Sequence, residues 1–337
     1  MTISVIICSH NPRESYLRRT IDGLRAQTAP CADWELLLVD NVSDSPLVSQ
    51  VDLSWHPGAR HIREEELGLT PARLRGIAEA KGDLLVFVDD DNVLQPDYVE
   101  VALRISASHP HLGAFGGSIE AEFEVQPDPR LESLLPGLAI RHASKTKWAN
   151  FGLEAVPYGA GLCVRTKVAR AYAANTSDSE IRRHLGRRGG NLIGGEDLDL
   201  AMTSYDLGMG VGLFRELVVT HLIDKRRVSP KYLHRLFVAG TYSAHIVRYL
   251  HTEMAPCYRG ATGFVLDSLK RMVKTCLGRP WSPAENARRE AERRAARDLR
   301  RLQKDREIEV QQRLEHRDGR QHTHQHKKPS PIFGGDA

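Results

Sequence analysis

The stretch Leu84-Leu85-Val86-Phe87-Val88-Asp89-Asp90-Asp91-Asn92 decides how the chain is read. Its first five residues are all apolar, the pattern of a strand buried on both faces in a parallel sheet. Three carboxylates then end the strand. Adjacent acids in such a place repel one another and lose hydration, so they need a cation or hydrogen-bond donors beside them. A hard divalent cation, Mg²⁺ or Mn²⁺, prefers oxygen ligands and commonly bridges a few carboxylates to phosphates. Taken alone, the triplet is equally well explained as a solvated acidic turn or a helix cap supplied by Asp91-Asn92.

Working outward, strand-like and helix-like segments alternate on both sides of this stretch. Ile3-Ser4-Val5-Ile6-Ile7 reads as a buried strand and runs into the turn cluster Ser9-His10-Asn11-Pro12. The segment from Arg13 to Gln27 places Leu17, Ile21 and Leu24 on one helical face. Glu35 to Val39 is a second strand, ending at Asp40-Asn41, and Arg60 to Arg63 is a short third one. Thr70-Pro71 opens a helix that runs to Lys81, with Gly82 available to cap its end. This β-α-β spacing predicts an α/β protein with a mostly parallel, doubly wound sheet and ligands at the carboxyl ends of its strands. From Gly113 to Arg165 glycines sit beside apolar strand segments, and Leu217 to His221 is a late strand. Residues 228 to 277 read as amphipathic helix, 284 to 317 as an Arg/Glu-rich helix, and the His-rich end as disordered.

Composition narrows the class. The 337 residues hold 41% hydrophobic and 27% charged side chains, ordinary for a globular protein. Five cysteines are odd in number and show no CxxC spacing, which argues against a disulfide framework or zinc cluster and for a reducing compartment. Ile3 to Ile7 is too short for a secretory signal, and no run reaches the ~18 to 20 apolar residues that cross a bilayer. The expected location is cytoplasmic, with peripheral contact at the inner face of the membrane as a further option. The net charge is +4, and the stretch beyond Gly278 is basic. In the basic stretch from Arg288 to Arg301 acids are interleaved and stacking aromatics are absent, so no nucleic-acid partner is expected.

Three other features carry chemistry only in company. Asp40 closes a strand, where its carboxylate can accept from a base or ribose, although an Asx turn is the commoner role for that residue. Glu196-Asp197 follows Gly194-Gly195, a turn that lets the backbone approach a ligand, and a carboxylate there can deprotonate a hydroxyl or simply cap a helix. His221 ends an apolar run, where a histidine is more often packed than a ligand.

In order and spacing these segments resemble the family 2 glycosyltransferases of GT-A fold over roughly residues 2 to 240. The resemblance rests on Ser4 to Asn11, Val39 to Asp44, Gly68 to Gly76, Phe87 to Asn92, and Gly195-Glu196-Asp197. It implies that His10, Asp40, Arg73, Asp89 and Asp90 bind the nucleotide-sugar, with Asp40 on the base and Arg73 near the pyrophosphate. It implies Asp91 and His221 as ligands of Mn²⁺ or Mg²⁺, Asp197 as general base with Glu196 beside it, and Lys225 to Arg227 near the leaving diphosphate. His10 in place of an aromatic, Asn41 in place of a second acid and Leu74 in place of Asn depart from the family pattern. The processive-synthase signature QxxRW is missing.

The resemblance predicts a metal-dependent inverting transfer from a UDP-sugar, or another nucleotide-sugar, to a glycan or lipid-linked acceptor. Two alternatives stand beside it: a nucleotidyltransferase, disfavoured by the poor phosphate loop Ser9 to Arg13, and an inactive module acting through its C-terminal helix. The expected organisation is a catalytic domain at 1–227, a helical segment at 228–278, a charged helix at 279–320 and a disordered tail at 321–337. The 228–278 segment is a candidate acceptor lid, homodimer face or membrane-surface contact, with core packing as the default.

Overall fold

The computed structural model describes residues 2–252 and 282–317, with side chains in the final helix described through Lys304. The chain divides into two compact units, Met1–Gly240 and Thr241–Ala337.

In the first unit, β1 (Ile3–Ser9), β2 (Trp34–Asn41), β3 (Ala59–Glu64) and β4 (Leu84–Asp89) run parallel in the order β3-β2-β1-β4. Every residue of β1 is buried, because strands covered by helices on both faces need apolar side chains on both. The register places Ser9 beside Asp40 and Cys8 beside Asp89, so three strand ends finish along one edge. Helix α1 (Glu14–Arg25) buries Leu17, Ile21 and Leu24, the face expected from their spacing. Helix α2 (Leu69–Glu79) packs on β1 and β2. It stops at Ala80, whose backbone is extended, so Gly82 is not its cap. Gly82 instead lies against β1: a Cβ there would sit 2.6 Å from the Ser4 nitrogen.

The rest of the sheet is mixed and departs from a doubly wound pattern. β5 (Asn92–Leu94), β6 (Leu112–Phe123), β7 (Lys147–Ala149), β8 (Leu162–Arg165) and β9 (Gly210–Ile223) complete the order β3-β2-β1-β4-β8-β6-β9-β5, with β7 beside β9. β8 is antiparallel to both β4 and β6. The chain enters β8 at the carboxyl end of β4, with Leu162 opposite Phe87, so the turn Gly159-Ala160-Gly161 lies next to the acidic triplet. β5 pairs antiparallel with β9, setting His221 opposite Asn92, and the Leu222 N–H donates to the Asp91 carbonyl at 2.8 Å. Sheet topology thus brings segments far apart in the chain onto one edge.

Helices α3 (Tyr98–Ser108), α4 (Thr166–Ser177) and α6 (Glu196–Asp206) cover the sheet, α6 packing on α4, β6 and β9, and the short α5 (Glu180–Arg183) packs on α4. Helix α7 (Pro230–Thr252) crosses the division between the units. Within the second unit, the helix Pro283–Arg317 buries Ala287, Ala291, Ala295 and Leu299, a stripe of small side chains in a segment otherwise rich in charge. Tyr242 Oη donates to Asp298 at 3.0 Å there. The expected helical segment between 253 and 278, and the expected disordered tail at 321–337, lie outside the described residues. No helix among the described residues is long and apolar enough to cross a membrane.

Candidate active site

The carboxyl ends of β1 and β4, the start of α2, the turn before β8, and the loop entering α6 surround a cleft of about 300 Å³. His10, Arg73, Asp89, Asp90, Asp91, Glu196, Asp197 and His221 all line it. Its volume lies at the low end of the range for small-molecule sites.

Arg73 joins the two acidic groups. It is buried, with Nη1 3.0 Å from Glu196 Oε1 and Nη2 3.5 Å from Asp89 Oδ1. Burial opposes its charge, but Glu196, Asp89 and Asp197 outweigh that effect and raise its pKa. Glu196 is itself buried, with Oε2 lacking a hydrogen-bond partner among the described residues. Burial first, and the charge of Asp197 after it, push the Glu196 carboxyl up to about 7 against the pull of Arg73.

Asp197 starts α6 beside Glu196 but opens into the cleft. Its Oδ2 accepts the Gly159 N–H at 2.7 Å, and its Oδ1 accepts the Leu198 N–H at 2.8 Å. Two backbone donors therefore fix the plane of the carboxylate. Gly159 has to be glycine here, because a Cβ would sit 2.8 Å from Arg73 Nη2 and 3.0 Å from Asp197 Oδ2. Gly195, at φ +97°, turns the chain into α6.

At the other end of the cleft, Asp91 Oδ2 lies 3.4 Å from His221 Nε2 and 2.6 Å from Arg227 Nη1. Burial works against ionisation of Asp91, but His221, Arg227 and Arg187 prevail and hold its carboxyl well below the usual range. Its neighbour Asp90 goes the other way: burial and the Asp91 charge raise it to about 7 even though Ser9 Oγ donates to it at 2.5 Å. Asp91 and His221 are the pair available to a divalent cation. A carboxylate oxygen and an imidazole nitrogen suit Mn²⁺, so the residues fit such a group. Among the described residues no set of three His, Cys, Asp or Glu side chains surrounds one point, so phosphate oxygens would have to complete its coordination.

Asp40 is placed differently. It is buried and does not line the cleft. Its Oδ1 accepts the Ser43 N–H at 3.0 Å, and its Oδ2 accepts the Leu47 N–H at 3.0 Å and Arg63 Nη1 at 2.8 Å. These bonds hold the turn that contains Val42, a β-branched residue at φ +54°. Asn41 explains its own departure from the family pattern. Its Nδ2 donates to the Glu66 carbonyl at 2.7 Å while its Oδ1 accepts the Gly68 N–H at 2.8 Å, and a carboxylate could make only the second bond. His10 is exposed, and its Nδ1 is 2.7 Å from the Asn41 carbonyl, fixing the ring at the cleft mouth.

Sequence reasoning missed Arg187, Gly159 and Ser9. Arg187 lines the cleft from the segment Gly186-Arg187-Arg188-Gly189-Gly190, whose glycine-flanked basic pair was the available signal. Gly159 and Ser9 gave no signal beyond their neighbourhood.

Parts of the chain are similar to known proteins. Residues 4–156 match the family described as Glycosyl transferase family 2. The putative glycosyltransferase EpsH of Bacillus subtilis is 30% identical over 112 residues, 33% of this chain and 32% of that protein. The inactive polypeptide N-acetylgalactosaminyltransferase-like protein 5 of Macaca fascicularis is 29% identical over 224 residues, 61% of this chain and 48% of that one. The chain therefore spans about a third of the first relative and about half of the second. A crystal structure of S. aureus TarS 1-349 in complex with UDP-GlcNAc aligns with a TM-score of 0.46 and 14% identity over 89% of this chain and 92% of that one. The matched segment runs from within β1 through the acidic triplet to just before the turn that leads into β8, and over these residues the chain is similar to the family 2 glycosyltransferases.

Proposed function

We propose that the chain transfers a sugar, with inversion, from a nucleoside diphosphate sugar, UDP-sugar first, to a hydroxyl of a glycan or lipid-linked acceptor. The observation that carries this reading is the single cleft lined by the acidic triplet, Arg73 and the Glu196-Asp197 pair. An Mn²⁺ or Mg²⁺ ion held by Asp91 and His221 would supply Lewis-acid stabilisation of the departing diphosphate.

The chain's own residues do the rest. Asp197, held by the Gly159 and Leu198 N–H groups, takes the proton of the acceptor hydroxyl. The acceptor oxygen forms its bond to C1 from the face opposite the diphosphate, and the C1–O bond breaks with its electron pair leaving on the diphosphate. The proton rests on Asp197, and the configuration at C1 inverts. Arg73, fixed by Glu196 and Asp89, ties the donor-binding end of the cleft to the base, so the two ends keep one spacing. Arg227, now on Asp91, is within reach of the negative charge that develops on the leaving group.

Titration of the full chain with UDP, GDP, CDP and dTDP, each with and without Mn²⁺, tests this directly by thermal shift or calorimetry. Selective, metal-dependent stabilisation by one nucleotide is the expected result. Silence with all four would remove the donor site and leave an inactive, tail-mediated module as the better reading.

A further inference from the structure

Three arginines and five carboxylates line the cleft. Two of the arginines are already committed: Arg73 to Glu196 and Asp89, and Arg227 to Asp91. Among the described residues Arg187 has no ion-pair partner, although its charge reaches both Asp91 and Glu196 and lowers the pKa of each. It lines the same cleft as both acidic groups.

The backbone that presents Arg187 is pinned. The Leu69 N–H donates to the Arg187 carbonyl at 2.9 Å, and Thr70 Oγ1 donates to the Leu185 carbonyl. Gly186, at φ +101°, passes so close to α2 that a Cβ would sit 2.4 Å from Thr70 Oγ1. Arg188 points elsewhere, with Nη1 3.9 Å from Glu66 Oε1. A fixed main chain with an uncommitted guanidinium facing a carboxylate-rich cleft is an arrangement for a ligand that brings its own negative charge.

We infer that Arg187 is a binding residue for the diphosphate of the donor, one jaw of a clamp whose other jaw is Arg227. The inference rests on the proposed donor site and adds a residue to it. The diphosphate is favoured over an anionic group on the acceptor because Arg187 lines the same cleft as Arg227, and every nucleotide-sugar brings a charged diphosphate whereas the acceptor hydroxyl is neutral. An excess of carboxylates there leaves a phosphate group in need of every free cation.

Calorimetric titration of the wild-type full chain and of Arg187→Ala and Arg187→Lys with UDP and with uridine, all with Mn²⁺, tests the inference. The expected result is a loss of about tenfold in UDP affinity for Arg187→Ala, as for one charge-assisted hydrogen bond. Uridine affinity should stay within about twofold, and Arg187→Lys should recover part of the loss. Equal losses for UDP and uridine would overturn the inference, since Arg187 would then be shaping the loop. So would unchanged UDP affinity, including the case in which only the KM for acceptor rises. If the wild type binds neither probe, the donor-site reading itself falls and this inference falls with it.

Discussion

Arg227 occupies the position that a cation would take: its Nη1 lies 2.6 Å from Asp91 Oδ2 and 3.1 Å from His221 Nε2. The guanidinium neutralises Asp91 within the free protein, so a divalent ion has to displace it before it can reach the same two atoms. Weak metal binding without nucleotide follows, because the ion competes with a built-in positive charge. Arg227→Gln should raise Mn²⁺ affinity in the absence of nucleotide by about tenfold, the equivalent of ~1.4 kcal/mol. The same change should weaken UDP binding. Calorimetry with MnCl₂ alone decides it; an unchanged or lower Mn²⁺ affinity would mean that the metal does not use Asp91 and His221.

Asp197 is the cleft-facing member of the acidic pair, and Glu196 is buried behind it on Arg73. This division of labour predicts that Asp197→Asn, which keeps one of the two backbone N–H bonds, loses the ability to take a proton. Turnover should drop by about 10²- to 10⁴-fold, the usual share of a positioned general base. UDP affinity should be unaffected. Ordinary turnover in the variant would exclude the role.

The acids at strand ends were legible because a buried apolar run must be interrupted for a reason, and five segments kept one order. The site's second half was less legible, for physical reasons. β8 is four residues long, and nothing in Leu162 to Arg165 says that it runs antiparallel. Yet its direction is what carries Gly159 to Asp197. His221 gained its meaning only from pairing opposite Asn92, a long-range register that no local pattern encodes. Gly82 looked like a helix cap because a cap and a close approach to a neighbouring strand both demand the same small residue. Arg187 sits in a loop without periodicity, where residue type alone does not separate a ligand contact from a solvated charge.

Asp40 gives a prediction that separates two roles. Its carboxylate accepts two backbone N–H groups and Arg63, so the turn around the left-handed Val42 depends on it. Asp40→Ala should cost about 2 kcal/mol in urea unfolding, as for loss of a buried charged acceptor. The milder Asp40→Asn should leave the ratio of UDP to CDP affinity unchanged. A tenfold shift in that ratio would show instead that Asp40 reads the base.

Glu196 sets a pH dependence of stability. Its carboxyl ionises at about 7 in the folded protein, against a reference value of 4.5, chiefly because it is buried and then because Asp197 faces it, with Arg73 and Arg187 pulling the other way. Between those values the folded state holds a proton that the unfolded chain has released. The contribution of this group to stability is therefore full below pH 4.5 and is lost as pH rises through about 7. Glu196→Gln cannot ionise and should lack that slope. From pH 5 to pH 8 the wild type should lose on the order of 2 kcal/mol relative to the variant, since a tenfold change in an ionisation constant corresponds to about 1.4 kcal/mol. Urea unfolding of both proteins at the two pH values measures the difference. Parallel behaviour would mean that Glu196 is already ionised at pH 5, as the partner of Arg73 in a buried ion pair.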